Sequence, residues 1–257
     1  MDLPLGARIK PRGIFEDEWS AGPSPARPWP VILIHGTCDT KGIWHKLGPQ
    51  LRHDGWAVFA PDYGLRATQP LAESARQLGA YIEAVLAVTG AEQVILVGHS
   101  QGGLLARYWM RVDGGAAKVR HLVCLSAPNH GTTAGGIASR FVRTERQEDV
   151  MRSLIDAWFG PAGMEQVAGS EVLAATNRDG DLEEGVTYTC IATRSDAVVV
   201  PPETCFLDSS TGAVRNIFVQ DYDRRSMVAH EDMPLDRRVR AIVRTALAQI
   251  SPAQISP

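Results

Sequence analysis

The segment Gly98-His99-Ser100-Gln101-Gly102-Gly103 follows the apolar run Val94-Ile95-Leu96-Val97 and leads into a stretch with helical spacing. A serine in that setting has the makings of a nucleophile. A strand that turns directly into a helix forces the residue at the turn into strained backbone and crowds the chain around it. Glycines two positions to either side relieve that crowding. The Ser100 hydroxyl is then expected at the end of a sheet, with the Gln101 N–H at a helix N-terminus where developing negative charge is stabilised.

A serine hydroxyl becomes nucleophilic only when a base takes its proton, and the base needs an acid to fix its tautomer. Where the nucleophile sits on a strand-turn-helix elbow, the chain order is nucleophile, acid, base. Of the seven histidines, His99, His121, His130 and His230 lie beside or beyond Ser100, and only His230 follows the later apolar runs. His230 is therefore the expected base, against the plainer reading of a surface histidine in a polar loop. Asp196 stands just past an apolar run at 187–193 and is the expected acid; Asp221, at the end of the next run, is the alternative. His99 is expected to pack or to orient the elbow. A second oxyanion donor is expected in the loop after Val31-Ile32-Leu33-Ile34, where Gly36 admits close backbone approach and the Thr37 N–H can point inward. Each such donor is typically worth about 3 kcal/mol.

These residues need a sheet to hold them. The stretches at 31–34, 56–60, 94–99, 119–125, 187–193 and 214–220 read as strands, and the continuous apolar run at 31–34 suits a parallel strand buried on both faces. Between them, helical periodicity covers 43–51, 73–89 with a stop at Gly90, 102–112 and 235–250. The alternation is that of an α/β fold with a mostly parallel central sheet and helices on both faces. Residues 137–185 break the rhythm and read as a helical cap inserted over the site. Residues 1–30, with Pro4, Pro11, Pro23, Pro25, Pro28 and Pro30, read as a proline-rich arm, and 31–257 as one domain.

A net charge of -3 from 26 basic and 29 acidic residues offers no polyanion-binding surface, so nucleic acid is not an expected partner. No apolar run reaches the roughly 18 to 20 residues needed to span a bilayer, and residues 1–10 lack the apolar core of a signal peptide. Cys124 sits in an apolar run and reads as a buried free thiol; of the four cysteines, Cys190 and Cys205 are the one pair considered for a disulfide. Trp44 follows the first loop, Tyr63 ends the second strand, and Met151, Leu154, Trp158 and Phe159 lie in the insertion. An apolar wall built from them would suit an acyl chain, although a packed cap core is the competing reading. The loops at the active edge carry no Arg/Lys cluster, which favours a neutral ester or lipid over an anion.

Five blocks taken together, Ile34-His35-Gly36-Thr37, Phe59-Ala60-Pro61-Asp62-Tyr63-Gly64, Gly98-His99-Ser100-Gln101-Gly102-Gly103, Ala127-Pro128-Asn129-His130-Gly131-Thr132-Thr133 and Ala192-Thr193-Arg194-Ser195-Asp196, resemble the bacterial triacylglycerol lipases and esterases of the α/β-hydrolase fold. The resemblance runs from about residue 31 to 250. It implies a serine hydrolase of carboxylic esters that works through an acyl-enzyme intermediate without cofactor or metal. Ser100, Asp196 and His230 would be the triad and Thr37 and Gln101 the oxyanion donors. Many such relatives are exported and carry a disulfide near the histidine loop, whereas Gln220-Asp221-Tyr222 has no cysteine here. A cytoplasmic esterase is expected on that ground, with secretion the alternative if a leader has been removed. His130 matches the family pattern and is expected to hold its loop. Acyl transfer, amide cleavage and a non-catalytic binding domain on the same scaffold stay open at this level. Asp196→Asn is expected to leave substrate binding largely intact and to lower kcat on the order of 10⁴-fold. The same loss in Asp221→Asn instead would move the acid role there.

Overall fold

The computed structural model describes residues 3–133 and 153–250. Six strands form one sheet: β1 (Val31–Ile34), β2 (Val58–Phe59), β3 (Val94–His99), β4 (Val119–Leu125), β5 (Thr187–Ala192) and β6 (Val214–Phe218). Their order is β2-β1-β3-β4-β5-β6, and every pairing is parallel. The helices among the described residues are α1 (Leu47–His53), α2 (Leu71–Thr89), α3 (Gln101–Val112), α4 (Pro161–Glu165), α5 (Glu171–Thr176) and α6 (Arg237–Ala248), with a further helical segment at 153–159 and a single irregular turn at Gly64–Ala67 in which Leu65 and Arg66 take positive φ.

Successive strand residues point to opposite faces, and at the centre of the sheet both faces are covered, which is why β1 is wholly apolar and polar residues such as Arg120 and Arg215 fall near strand starts and on the edge strand. Ile32 and Ile34 join the core packed under α2 and α3, while Val31 and Leu33 join the one packed under α1 and α6. The connection from β1 to β2 runs one way across the sheet and the connection to β3 runs the other. The crevice at such a switch point lies beyond the strand C-termini, and the ends of β1 and β3 flank it. The loop with Gly36-Thr37 and the turn with Ser100 therefore meet.

Local chemistry sets the element ends. Gly90 takes a left-handed conformation (φ 68°) and its N–H caps α2 at the Leu86 carbonyl. Asp236 caps α6 by accepting from the Arg238 and Val239 N–H groups. The helical pattern expected at 43–51 divides into a 3-10 turn at Lys41–His45, capped by Thr40, and α1. The run at 56–60 yields only a two-residue edge strand, because the Ala60 N–H donates to Asp17 Oδ1 rather than to a strand neighbour.

The N-terminal segment is tied to the domain by specific contacts. Phe15 is buried, its ring lying where a Cβ on Gly48 would stand, and Asp17 Oδ2 accepts from the Tyr81 hydroxyl. Between β4 and β5, the described part of the insertion comprises 153–159, α4 and α5. It joins the domain through the Ala162 N–H to Thr68 carbonyl bond and through Arg107, which bonds the Asn129 carbonyl and Asn177 Oδ1. All four cysteines are free thiols, so Cys190 and Cys205 are not bonded to each other. Among the described residues no helix is long and apolar enough to cross a membrane.

The glycines of the elbow are needed for space. A Cβ on Gly102 would stand 2.3 Å from the Ile34 carbonyl oxygen and 2.7 Å from that of His35, and one on Gly98 would stand 2.4 Å from the Gly103 nitrogen. These neighbours are backbone and cannot swing aside. Gly102→Ala is accordingly expected to lower unfolding free energy by about 3 kcal/mol, the upper end of overpacking losses, in denaturant titration. Unchanged stability would contradict this packing.

Candidate active site

Ser100 occupies the turn between β3 and α3 with φ 52° and ψ -126°, backbone that an L side chain rarely adopts. Its own N–H is fixed to the Leu125 carbonyl at 2.9 Å. The conformation aims Oγ out of the turn. There Ser100 Oγ–H donates to His230 Nε2 at 2.9 Å, and His230 Nδ1–H donates to Asp196 Oδ2 at 2.9 Å. A carboxylate can only accept, so the Nδ1 proton is assigned by its partner and Nε2 is left as an acceptor. All three residues are buried.

Asp196 sits just past β5, where its Oδ1 accepts from the Val198 and Val199 N–H groups at 2.9 Å each. Burial by itself raises this carboxyl's pKa. The hydrogen bond and charge of His230, with the two N–H donors, outweigh burial and hold the group below its usual value. Asp221 lies elsewhere: it is half exposed, pairs with Arg194 and accepts from the Phe218 N–H.

His230 opens a 3-10 turn at His230–Asp232 and is fastened from several sides. His99, at the end of β3, donates Nε2–H to the His230 carbonyl at 2.9 Å. The Val228 carbonyl accepts from the hydroxyls of Thr193 and Ser195, both on the Asp196 loop. Arg12 donates to the Glu231 carbonyl and to Asp232. Thr193 and Ser195 flank Asp196 in a segment already singled out by sequence, whereas Arg12 is more than two hundred residues from its partners and no spacing in the sequence connects them.

The loop after β1 lies against Ser100. A Cβ on Gly36 would stand 3.0 Å from Ser100 Cβ, tighter than ordinary packing, so glycine here gives the Gly36-Thr37 backbone room to approach this closely. Gln101 opens α3, where the first N–H groups have no acceptor inside the helix and their dipoles favour negative charge. Its side chain is used elsewhere, donating to the Ala67 carbonyl at 3.1 Å. Together these parts can activate a hydroxyl and stabilise an oxyanion beside it.

The residues expected to form an apolar wall separate. Trp44 is fully buried in the core under α1 and α6, on the 3-10 turn Lys41–His45, and exposes no surface to a cleft. Tyr63 is also buried, stacked on the His35 ring with its hydroxyl donating to the His35 carbonyl at 2.6 Å; it supports the loop after β1 from beneath. Leu154, Trp158 and Phe159 are exposed on the segment at 153–159, and Met151 lies outside the described residues. His130 is half exposed and sits 3.3 Å from Asp181, while its N–H donates to the Thr204 carbonyl. Among the described residues no three His, Cys, Asp or Glu side chains converge as a metal site.

A family model described as the alpha/beta hydrolase fold matches residues 30–149. A triacylglycerol lipase of Pseudarthrobacter phenanthrenivorans is 31% identical over 127 residues, which are 47% of this chain and 39% of that protein. Methylesterase 8 of Arabidopsis thaliana is 26% identical over 132 residues, 49% of this chain and 48% of that protein. The matches thus span less than half the length of these relatives. Among solved structures, Aspergillus fumigatus lipase B superposes with a TM-score of 0.69 at 18% identity, covering 87% of this chain and 53% of that one.

The histidine that holds the His230 carbonyl has a pH signature. Burial first, and the neighbouring His230 second, push the His99 pKa down to about 3. It stays neutral in the folded protein, whereas an unfolded histidine takes a proton below about pH 6.5. The unfolded chain therefore binds more protons as the pH falls through that window, and stability is lost from about pH 6.5 down to about 3. Denaturant titrations between pH 7 and 4 are expected to show this decline, shallower in His99→Gln by up to about 1.4 kcal/mol per pH unit. Identical slopes would contradict a neutral buried His99.

Proposed function

We propose that this chain, which has the α/β-hydrolase fold, hydrolyses carboxylic esters through an acyl-enzyme formed on Ser100. The observation that carries the reading is the unbroken Ser100–His230–Asp196 chain of 2.9 Å hydrogen bonds beside the glycine that lets the Thr37 backbone approach. In the first step Ser100 Oγ attacks the ester carbonyl carbon while His230 Nε2 takes its proton; Asp196 stabilises the imidazolium and stays ionised. The carbonyl electron pair moves onto oxygen, where the N–H groups of Thr37 and Gln101 receive the charge. The tetrahedral species collapses by breaking the bond to the alkoxy oxygen, which leaves as an alcohol with the proton from His230. Water, deprotonated by His230, then attacks the acyl-enzyme carbonyl. Collapse of the second tetrahedral species releases the carboxylic acid and returns the proton to Ser100.

The proposed class of substrate is a neutral ester. Leu154, Trp158 and Phe159 are exposed on a segment that touches the loop after β1 where the Cys38 thiol meets the Trp158 carbonyl. Exposed apolar side chains on that segment support a neutral ester with a hydrocarbon acyl chain. The names of the relatives, triacylglycerol lipase and methylesterase, are consistent with ester cleavage as the shared chemistry.

The test is turnover of p-nitrophenyl esters with two to sixteen acyl carbons. Wild-type protein is expected to hydrolyse them, and Ser100→Ala, folded by circular dichroism, to lose at least about 10⁴-fold in rate. A fluorophosphonate probe is expected to label the wild type and not the variant. Activity retained in Ser100→Ala would overturn the proposal.

A further inference from the structure

Gln166 lies in the turn after α4, is 8% exposed, and sends its side chain to the loop after β1. Its Nε2 donates to the Ala162 carbonyl at 3.0 Å and to Thr37 Oγ1 at 3.0 Å. A peptide carbonyl can only accept, so the amide nitrogen must face Ala162, and Thr37 Oγ1 takes its second proton. The bond has a fixed direction from the insertion to the oxyanion loop.

The other end of Gln166 is anchored as firmly. Its backbone carbonyl accepts from the Thr132 N–H at 3.0 Å, and the Thr132 carbonyl accepts from the Ala168 N–H at 2.9 Å. The Thr132 hydroxyl donates to the Val198 carbonyl at 2.7 Å and accepts from the Val200 N–H at 3.0 Å. Val198 and Val199 in turn donate their N–H groups to Asp196. One continuous set of hydrogen bonds therefore runs from the Asp196 loop, through Thr132 and Gln166, to Thr37.

We infer that Gln166 is a positioning residue: by clamping the Thr37 hydroxyl it fixes the Gly36-Thr37 peptide so that the Thr37 N–H meets the oxyanion, and it ties that geometry to the loop carrying Asp196. The inference rests on the ester-hydrolase reading above. Donors of this kind act only when held within a fraction of an ångström of the oxygen they stabilise. A residue touching the hydroxyl and not the substrate then acts on turnover more than on substrate affinity.

The experiment is a double-mutant cycle on p-nitrophenyl ester hydrolysis, with Ser100→Ala run alongside. Gln166→Met keeps the length of the side chain and removes the donor; it is expected to lower kcat about tenfold with KM within about twofold. Thr37→Val removes the acceptor and keeps the main-chain N–H, and is expected to lose kcat by a similar factor. In the Thr37→Val background, Gln166→Met is expected to have no further effect on kcat, because the bond it breaks is already absent. Damage transmitted through Ala162 would persist in that background. Unchanged kcat in Gln166→Met, or a loss that persists undiminished beside Thr37→Val, would overturn this inference alone. Wild-type turnover that survives Ser100→Ala would overturn the hydrolase reading beneath it, and this inference with it.

Discussion

The left-handed turn at Ser100 is conformational strain of about 1–3 kcal/mol that exists only because its surroundings permit nothing else. The Ser100 N–H is held by the Leu125 carbonyl on the neighbouring strand, and α3 starts at the next residue with Gly102 pressed against the carbonyls of Ile34 and His35. Both anchors are strands of a sheet buried on two faces. The alternating hydrophobic cores of the sheet thus determine one backbone conformation, and that conformation directs one hydroxyl. Relaxing the turn would carry Oγ away from His230 Nε2.

Around this turn the polar groups are arranged so that each buried charge or dipole meets a partner. Asp196 would be raised by its own burial, but three hydrogen bonds keep it ionised and aimed at His230. His99 resolves its burial in the opposite way, by staying neutral and donating one N–H to the backbone of His230. The two histidines stand side by side, with ring centroids 5.1 Å apart, and of the two only His230 is hydrogen-bonded to a carboxylate. The loop carrying His230 has little regular structure of its own. It draws its rigidity from His99, from Thr193 and Ser195, and from Arg12 of the N-terminal segment.

Much of this was readable from the chain because the responsible signals are local. The runs at 31–34 and 119–125 match β1 and β4 residue for residue; β1 is uninterrupted apolar sequence buried on both faces, and β4 stays legible through Leu122-Val123-Cys124-Leu125 despite Arg120 and His121. Gly90 marked the end of α2 because a helix closed by a left-handed residue favours glycine. Position along the chain selected His230 and Asp196, and the structure brings them together with Ser100. Sequence alone does not separate an aromatic that lines a cleft from one that packs in the core: Trp44 is fully buried under α1 and α6, and Tyr63 stacks on His35, a partner on a different strand's loop. Arg12, Thr132 and Gln166 act through partners distant in sequence, and hydrogen bonds of that kind have no periodicity to detect.

The described part of the insertion packs against the domain through Thr68, Arg107 and Asn129, and reaches the loop after β1 through Trp158 and Gln166. The proposed chemistry nevertheless rests on the covalent step at one oxygen. Its most direct measurement is peptide mapping by mass spectrometry after the protein is mixed with a p-nitrophenyl ester and quenched in acid within milliseconds. An acyl group on Ser100, appearing in step with a burst of p-nitrophenol, is the expected result. Turnover without any acylated Ser100 peptide, or with the acyl group on another residue, would contradict it.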